Sequence, residues 1–228
     1  MLRANPNHDL RADARIMLLG QIIGHGRASL VIGRKRLDDH GLDQIFREAR
    51  THIAWLDVPV SDELLREAVE LAKMGPTSAN CMAMRIVFVR SKAAKERLRP
   101  ALVPGNVEKT MAAPATAIVG YDLEFHDALP RLFPRSDMRK VFVDKPDLIK
   151  ETAFRNSSLQ GAYFLLALRS LGLDIGPMSG FDNAKVDAEF FSGTSVKSNF
   201  LVNIGHGDPT KLFPRGPRLS FEEIARIL

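Results

Sequence analysis

A short polar run between two apolar segments holds residues whose types could do chemistry. The run is Gly75-Pro76-Thr77-Ser78-Ala79-Asn80-Cys81, which combines a conformationally free glycine, a stiff proline, and hydroxyl and amide groups within five residues. Such groups can hold an anion or a polar heterocycle, as a phosphate-rich cofactor requires. The same residues also suit a capped helix end that runs into a strand. The run alone leaves both interpretations open.

Motifs of several common enzyme classes do not occur in the sequence. It has no G-x-S-x-G elbow, no Walker sequence and no H-E-x-x-H pair, and its six histidines are dispersed. Gly205-His206-Gly207 follows an apolar run but lacks the third glycine of a dinucleotide fingerprint. The single cysteine, Cys81, has no identifiable base and is more typical of a structural residue than of a nucleophile. No metal site is predicted.

Length and composition favour one compact domain. The 228 residues are 45% hydrophobic, which is enough for one sizeable core and leaves little room for two independent domains. No apolar run approaches the ~18 residues that a bilayer crossing needs, and a lone cysteine cannot form an internal disulfide. We therefore expect a cytoplasmic protein.

The net charge of +5 is concentrated at the start of the chain. Residues 1–36 hold seven basic and two acidic side chains, net +5, whereas the remaining 192 residues hold 25 of each sign. The apolar run in this segment is too short for a secretory signal, and Asp9 and Asp13 argue against a transit peptide. We expect residues 1–36 to be a basic, dispensable extension and residues 37–228 to form the folded domain. The extension could still bind nucleic acid or pack on a partner subunit.

Hydrophobic periodicity predicts helices interleaved with strands beyond residue 37. Helices are predicted at about 42–55, from Ser61, from Ser91 to residue 98, at 147–171, from Asp182 to residue 191 and from Ser220. Buried strands are predicted at 86–89, 115–120 and 200–204, and residues 173–180 are predicted to be a strand followed by a tight loop. Three prolines mark residues 129–147 as an irregular excursion.

Five short runs, in their order and spacing, resemble the FMN-dependent nitroreductase family, and within it the malonic semialdehyde reductases of pyrimidine breakdown. Besides the run at 75–81, they are Ala49-Arg50-Thr51-His52, Thr152-Ala153-Phe154-Arg155-Asn156-Ser157-Ser158, Gly176-Pro177-Met178-Ser179-Gly180-Phe181-Asp182 and Pro217-Arg218-Leu219-Ser220-Phe221-Glu222-Glu223. The resemblance covers residues 37–228. It implies an α+β fold with a mostly antiparallel sheet flanked by helices, and an obligate homodimer that binds one FMN in each interface crevice.

The resemblance assigns the FMN phosphate to two basic segments. The matching residues are Arg50, Thr51 and His52 in the first segment, and Arg215 and Arg218 before the last helix. Ile53 stands where many relatives carry a cation, so the arginines are expected to neutralise the phosphate, for which a planar guanidinium is well suited. Taken without the resemblance, the same arginines are also compatible with exposed loops.

The resemblance assigns the flavin ring to three further segments. They are Pro76, Thr77, Ser78 and Asn80, which in relatives approach the ring from the partner subunit; Asn106, whose amide addresses the polar edge of the ring; and Pro177, Met178, Ser179 and Gly180. In relatives a backbone N–H of the last segment, here Ser179 or Gly180, points at flavin N5, where a fixed donor makes the oxidised ring more electrophilic. From the residues alone, Asn106 also fits an ordinary turn and 177–180 a tight turn.

The activity that the resemblance implies is an NAD(P)H oxidoreductase with ping-pong hydride transfer. NADH or NADPH reduces the flavin and leaves, and malonic semialdehyde then accepts the hydride and becomes 3-hydroxypropanoate. Arg135 and Arg139, in the excursion, are expected to bind the substrate carboxylate. No side chain is assigned as the proton donor, because the flavin supplies the difficult chemistry.

Two other functions stay open at this point. The same flavin site would serve a broad nitro, quinone or enone reductase, because such acceptors need only stack on the ring. From a different class, the basic extension could mark a nucleic-acid-binding protein that carries a flavin. The sequence has no ribose-phosphate motif that would separate NADH from NADPH.

Overall fold

The chain, analysed as a computed structural model, is described over residues 35–228. Within these residues, strands form one antiparallel sheet in the order β1-β2-β4-β3. The strands are β1 Met84–Val89, β2 Ala115–Asp122, β3 Asp174–Met178 and β4 Val196–Gly205. The predicted α+β class with an antiparallel sheet is confirmed.

Helices flank the sheet and fill most of the connections between its strands. They are α1 Asp39–Leu42, which a π-helical turn Asp43–Arg47 continues, α2 Asp62–Ala72, α3 Lys92–Leu98, α4 Pro104–Ala112, α5 Leu129–Leu132, α6 Pro146–Ser170, α7 Asn183–Phe190 and α8 Phe221–Ile224. Among these helices, none combines the length and apolarity that a membrane crossing requires.

The core lies on both faces of the sheet because β2 and β4 are buried on both sides. Ala117 and Val119 of β2 pack with α2 and α6 on one face, whereas Ile118 packs with α3 and α7 on the other. Alternate residues of a strand point to opposite faces, so one strand serves both layers. A third cluster, with Phe125 and Phe142 in edge contact at 5.0 Å between ring centroids, packs under the excursion.

Capping signals located most helix starts correctly. Ser61, Ser91 and Asp182 each accept a backbone N–H bond at the N-terminus of α2, α3 and α7. The capping box of Ser220 and Glu223 is also present, although α8 then makes a single turn. The longest predicted helix, 147–171, is observed as α6 within one residue at each end.

The observed secondary structure differs from the predictions in one wrong helix end and one unpredicted helix. The helix predicted to run to residue 55 ends at Arg47, because Thr51 and Trp55 instead make isolated β-bridges to Ile175 and Gly207. Helix α4 was not predicted, since Pro104 and Gly105 are typical of a turn; here Pro104 occupies the first helical turn, where no N–H is needed. In both cases contacts between distant segments outweigh the local pattern.

The backbone of the polar run at 75–81 does not use the conformational freedom of Gly75 that the sequence suggested. Gly75 does not have a positive φ; its hydrogen lies against the ring of Tyr163, and a Cβ there would come within 2.6 Å of that ring. The left-handed backbone falls instead at Ala79, Asn80 and Met82, with φ of 49°, 51° and 44°. Non-glycine residues rarely adopt this conformation, so surrounding contacts must hold the run in shape.

The chain divides by internal contacts into residues 1–38 and 39–228. The basic extension predicted at 1–36 lies, up to residue 34, outside the described residues, so its dispensability stays a prediction.

Candidate functional site

Two arginines predicted to bind phosphate join the segment after α1 to the segment before α8. The Nη2 of Arg215 donates to the carbonyl oxygens of Arg47 at 2.7 Å and Ala49 at 3.1 Å, and the Nη2 of Arg50 donates to the carbonyl oxygen of Phe213. Within the described residues, neither guanidinium pairs with a carboxylate. Each therefore keeps its full charge and several of its five N–H groups for another acceptor.

A third arginine, which the sequence analysis missed, lies beside this pair. Arg169, near the end of α6, donates from Nη1 to the carbonyl oxygen of Ile45 at 3.2 Å, and its buried Nε has no hydrogen-bond partner among residues 35–228. Burial lowers the pKa of Arg169, and the charge of Arg215 lowers it further, whereas Asp174 opposes this shift. We call Arg50, Arg169 and Arg215 the arginine region. A bound anion would relieve the repulsion among these three positive charges.

The imidazole of His52 is turned into the protein and holds the arginine region against β3. The backbone N–H of His52 donates to the carbonyl oxygen of Ile175 at 2.9 Å, and its Nε2 lies 3.3 Å from Oδ1 of Asp174. The other oxygen of Asp174 accepts from the N–H of Gly207 at 2.8 Å. Gly207 lies against the imidazole, and a Cβ at that position would overlap the ring. Thr51, in its bridge to Ile175, stays exposed.

The far end of β3 presents backbone donors. Pro177 and Met178 complete the strand, and Ser179 and Gly180 follow it. Within residues 35–228, the N–H groups of Ser179 and Gly180 donate no hydrogen bond, and Ser179 is exposed. Asn106, on α4, is buried and donates from Nδ2 to the carbonyl oxygen of Gly180 at 2.8 Å. A Cβ on Gly180 would come within 2.6 Å of this amide, so the close approach requires glycine.

A buried polar network lies beneath α4, and sequence analysis gave no sign of it. Lys95 of α3 donates from Nζ to the carbonyl oxygens of Thr110 at 2.5 Å and Ala113 at 2.9 Å, and to Oγ1 of Thr116 at 2.8 Å. Thr116 donates in turn to Oδ1 of Asn203, whose Nδ2 donates to Oγ1 of Thr110. Burial lowers the pKa of Lys95 to about 8. We call these residues the Lys95 network.

The run at 75–81 is held by α5 and α6. Asn156 accepts the N–H of Ser78 at 2.8 Å, and Asn80 donates to the carbonyl oxygen of Leu132 at 3.0 Å. Thr77 accepts the N–H of Met82 at 3.3 Å. Pro76 and the side chain of Ser78 face outward. Three polar contacts thus fix the strained backbone and leave its outer side open.

The predicted site residues fall into two groups within one chain. One group lies along β3, from the arginine region to the turn at Ser179, and includes Asn106. The other is the run at 75–81, which the described contacts link to α5 and α6 and not to β3. Arg218 joins neither group: its Nη1 donates to the carbonyl oxygens of Gly216 and Pro217, each at 3.0 Å.

The two substrate-binding arginines predicted in the excursion differ in their contacts. Arg139 donates from Nε to Oδ1 of Asp127 at 2.9 Å, so a neighbouring carboxylate already balances its charge. Arg135 is exposed, and within the described residues it makes no hydrogen bond or ion pair. Of the two, only Arg135 has a guanidinium with no protein partner in the part of the chain described.

A groove elsewhere on the chain is separate from the predicted FMN residues. A groove of about 910 Å³ lies between α2, β1 and α3, and Arg66, Met84 and Phe88 are among its lining residues. It contains none of the residues predicted to bind FMN. The described residues also hold no group of three or more histidine, cysteine or acidic side chains that could bind a metal ion.

The geometry defines an α+β protein that can hold an elongated anion along β3, with cations at one end of the strand and unpaired N–H groups at the other. The chain belongs to the nitroreductase family, whose sequence profile matches residues 46–206.

Comparison with known proteins supports this assignment. The chain is 63% identical over 191 residues to a Burkholderia lata protein that is provisionally named an NADH dehydrogenase/NAD(P)H nitroreductase, which covers 84% of this chain and 98% of that protein. A provisionally named nitroreductase of Exiguobacterium sibiricum, solved in complex with FMN, has a TM-score of 0.73 at 20% identity, covering 86% of this chain and 99% of that one. An enone reductase of gut-bacterial fatty acid saturation has a TM-score of 0.72 at 18% identity, with coverage of 84% and 99%.

Proposed function

We propose that this protein is an FMN-dependent NAD(P)H oxidoreductase. The proposal rests first on family membership and on the name of its 63% identical relative. The E. sibiricum structure in complex with FMN supports the choice of cofactor, although at 20% identity it establishes likeness of fold alone. The observation in this chain that carries the proposal is the placement of unpaired donors at both ends of β3.

The phosphate end of FMN fits the arginine region. Arg50 and Arg215 are held by backbone carbonyl groups, which leave their charges uncompensated, and Arg169 adds a third positive charge beside them. A dianionic phosphate would supply the missing acceptor and the missing negative charge. Thr51, exposed next to Arg50, adds a hydroxyl donor. His52 contributes by holding this segment on β3.

The ring end of FMN fits the turn after β3. The N–H groups of Ser179 and Gly180 need an acceptor, and the ring nitrogen N5 is one. Asn106 fixes the carbonyl oxygen of Gly180 and thereby the orientation of this peptide. When bound, FMN supplies the chemistry of accepting a hydride from NADH or NADPH and passing it to a second substrate, in a ping-pong sequence. The chain's own role is to bind, orient and polarise the cofactor.

We further propose that two copies of the chain build each site. Within one copy, Pro76, Thr77, Ser78 and Asn80 are linked to α5 and α6 and not to β3, so a second copy would have to bring their open side to the ring. Large apolar side chains support such an assembly, because Phe154 on α6 is 50% exposed, and Phe213 and Ile224 near the C-terminus are 70% and 69% exposed.

We propose malonic semialdehyde as the electron acceptor, on the basis of the sequence resemblance stated above. Its carboxylate needs a cation, and Arg135 is the better candidate of the two predicted, since Asp127 already neutralises Arg139. The single buried Cys81 agrees with a reducing compartment, and we propose the cytoplasm.

A second candidate is a reductase of broad specificity that acts on nitro, quinone or enone compounds. The name of the B. lata relative as a nitroreductase favours it. In that case the acceptor would stack on the ring without help from Arg135, and changes at Arg135 would leave turnover unaltered.

The test is a half-reaction assay on the purified full-length protein. We expect a yellow dimer that NADH or NADPH bleaches under anaerobic conditions and that malonic semialdehyde reoxidises. A panel with a nitroaromatic, a quinone and an enone would separate the two candidates, since rapid turnover of these without aldehyde turnover favours the second.

Two arginine variants of the same protein test the proposed role of Arg135. Arg135→Gln should raise the KM for the aldehyde and leave bleaching by the nicotinamide unchanged, whereas Arg66→Gln, an exposed arginine in the groove, should change neither. A monomer that stays colourless with excess FMN would overturn the proposal. If that protein shifts DNA in a salt-sensitive manner, the nucleic-acid-binding alternative takes its place.

A further inference from the structure

Lys95 is a buried cation whose hydrogen bonds all go to uncharged groups. Its relative exposure is 2%, although it lies on a seven-residue helix whose other charged residues face solvent. The three N–H bonds of its ammonium group reach the carbonyl oxygens of Thr110 and Ala113 and the hydroxyl of Thr116. Burying a charge costs free energy, so we expect a buried lysine to contribute something to the structure that an apolar residue could not.

The groups that Lys95 holds are the carboxyl end of α4 and one residue of β2. Thr110 lies in the last turn of α4, and Ala113 caps it. Carbonyl groups at a helix C-terminus lack partners within the helix and carry a partial negative charge, which a cation satisfies. Thr116, the second residue of β2, pairs with Asn203 of β4. Lys95 therefore pins α4 to the sheet.

Helix α4 in turn holds the turn after β3. Asn106 and Thr110 are four residues apart and so lie on one face of the helix. Asn106 donates to the carbonyl oxygen of Gly180 at 2.8 Å, and Oγ1 of Thr110 lies 3.6 Å from the sulfur of Met178. Asn203 of β4 braces Thr110 from the other side at 3.2 Å. Two side chains on one face of α4 thus contact the residue before Ser179 and the residue after it.

We infer that Lys95 is a positioning residue for the ring end of the FMN site, acting by fixing α4 so that Asn106 holds the carbonyl group of Gly180 and Thr110 holds the side chain of Met178. The inference rests on the proposed function. It assigns Lys95 no contact with FMN or substrate. It predicts that loss of Lys95 changes the reactivity of the bound flavin more than it changes the affinity for FMN, because within residues 35–228 the three arginines donate no hydrogen bond to α4.

An apolar residue of the same length cannot replace Lys95 in this role. Methionine would fill the space but would leave the carbonyl oxygens of Thr110 and Ala113 without their donor. The end of α4 would then be free to shift. Displacements of about 1 Å in groups that position reactants can cost up to ~100-fold in rate.

The experiment compares Lys95→Met with Lys92→Met, a matched change at an exposed lysine of the same helix. Three quantities are measured on each full-length holoprotein: the Kd for FMN, the visible spectrum of the bound flavin, and the rate constant for its anaerobic reduction by NAD(P)H. We expect Lys95→Met to bind FMN within about threefold of wild type, to show a shifted flavin spectrum, and to be reduced about tenfold more slowly. Lys92→Met should match wild type in all three.

A second variant keeps the inference testable if Lys95→Met fails to fold. Thr110→Val keeps the carbonyl group that Lys95 binds and replaces with a methyl group the hydroxyl that contacts Met178 and accepts from Asn203. It should shift the spectrum and slow reduction in the same direction, by a smaller factor.

A spectrum and reduction rate equal to wild type in the folded Lys95→Met protein, or in Thr110→Val if only that variant folds, would overturn the inference. A large rise in the Kd for FMN together with slower flavin reduction would also overturn the inference, because that pattern indicates general destabilisation. A wild-type protein without flavin or NAD(P)H turnover would instead refute the proposed function, so the two failures are distinguishable.

Discussion

The arginine region and the Lys95 network both place cations against backbone carbonyl groups, without an ion pair to a carboxylate among the described residues, and we propose opposite uses for them. Arg215 donates hydrogen bonds from one nitrogen to the carbonyl oxygens of Arg47 and Ala49, and the residue is otherwise exposed. Lys95 donates three hydrogen bonds from its ammonium group, all to groups inside the protein. The lesson is that burial, and not charge alone, separates a cation that can bind a ligand from one that serves the scaffold.

The largest expected effect comes from removing the exposed charges. The double variant Arg50→Gln, Arg215→Gln should raise the Kd for FMN more than about a hundredfold, because each charge-assisted hydrogen bond contributes about 1.5–3 kcal/mol. Fluorescence titration of the apoprotein with FMN measures the change. Lumiflavin, which lacks the phosphate, serves as the control ligand, and its affinity should not change. Equal losses for FMN and lumiflavin would place the arginines elsewhere than at the phosphate.

A smaller effect should follow from the protonation of Lys95. Its folded-state pKa of about 8 lies below the value of 10.5 for an exposed lysine. Between these values the unfolded chain binds more protons than the folded one, so the free energy of unfolding rises with pH in this window. The expected gain is about 2–3 kcal/mol from pH 7.5 to 10.5, relative to Lys95→Met.

Urea unfolding at several pH values checks this prediction. Lys92→Met should follow the wild-type pH dependence, and Lys95→Met should lack the added rise. Parallel curves for wild type and Lys95→Met would mean that the three hydrogen bonds of the ammonium group fully offset the cost of its burial.

Trp55 connects the two regions, and its loss should have a modest effect on both. Its Nε1 donates to the carbonyl oxygen of Lys109 on α4 at 2.9 Å, and Trp55 itself follows Arg50 by five positions along the chain. Trp55→Phe should lower the free energy of unfolding by about 1 kcal/mol, the value of one hydrogen bond. Circular dichroism melting is the suitable measurement, since Trp55 is the only tryptophan. An unchanged melting temperature would show that this hydrogen bond adds nothing to the free energy of unfolding.

The smallest expected effect is that of salt. Raising ionic strength from about 0.05 to 0.5 M should weaken FMN binding by about threefold, because exposed charges are screened. The stability difference between wild type and Lys95→Met at pH 7.5 should stay constant, since buried groups are screened much less. A salt-dependent difference there would indicate that water reaches Lys95.

Much of the fold could be predicted from local signals. Ser61, Ser91 and Asp182 mark helix starts because their side chains bond to backbone groups only three residues away. The end of the first helix could not be predicted in this way. Its pattern continues beyond Arg47, but the N–H of His52 bonds to Ile175, more than a hundred residues further along the chain.

Family resemblance named part of the candidate site, where the binding of FMN stays a prediction, and it did not reach the rest. Arg50, Arg215 and Asn106 were named from the resemblance, and the structure places the first two together and the third at Gly180. Lys95 and Arg169 were missed, because a charged residue in a helix is normally exposed and neither lies in a family motif. Their burial follows only from the way α3 and α6 pack on the rest of the chain.

The packing of Gly207 on His52 has a consequence for how this protein family can vary. Since no side chain fits at position 207 while an imidazole occupies position 52, neither residue can drift freely during evolution. Homologues with a larger residue at 207 should carry a smaller one at 52, and the two columns of an alignment should change together.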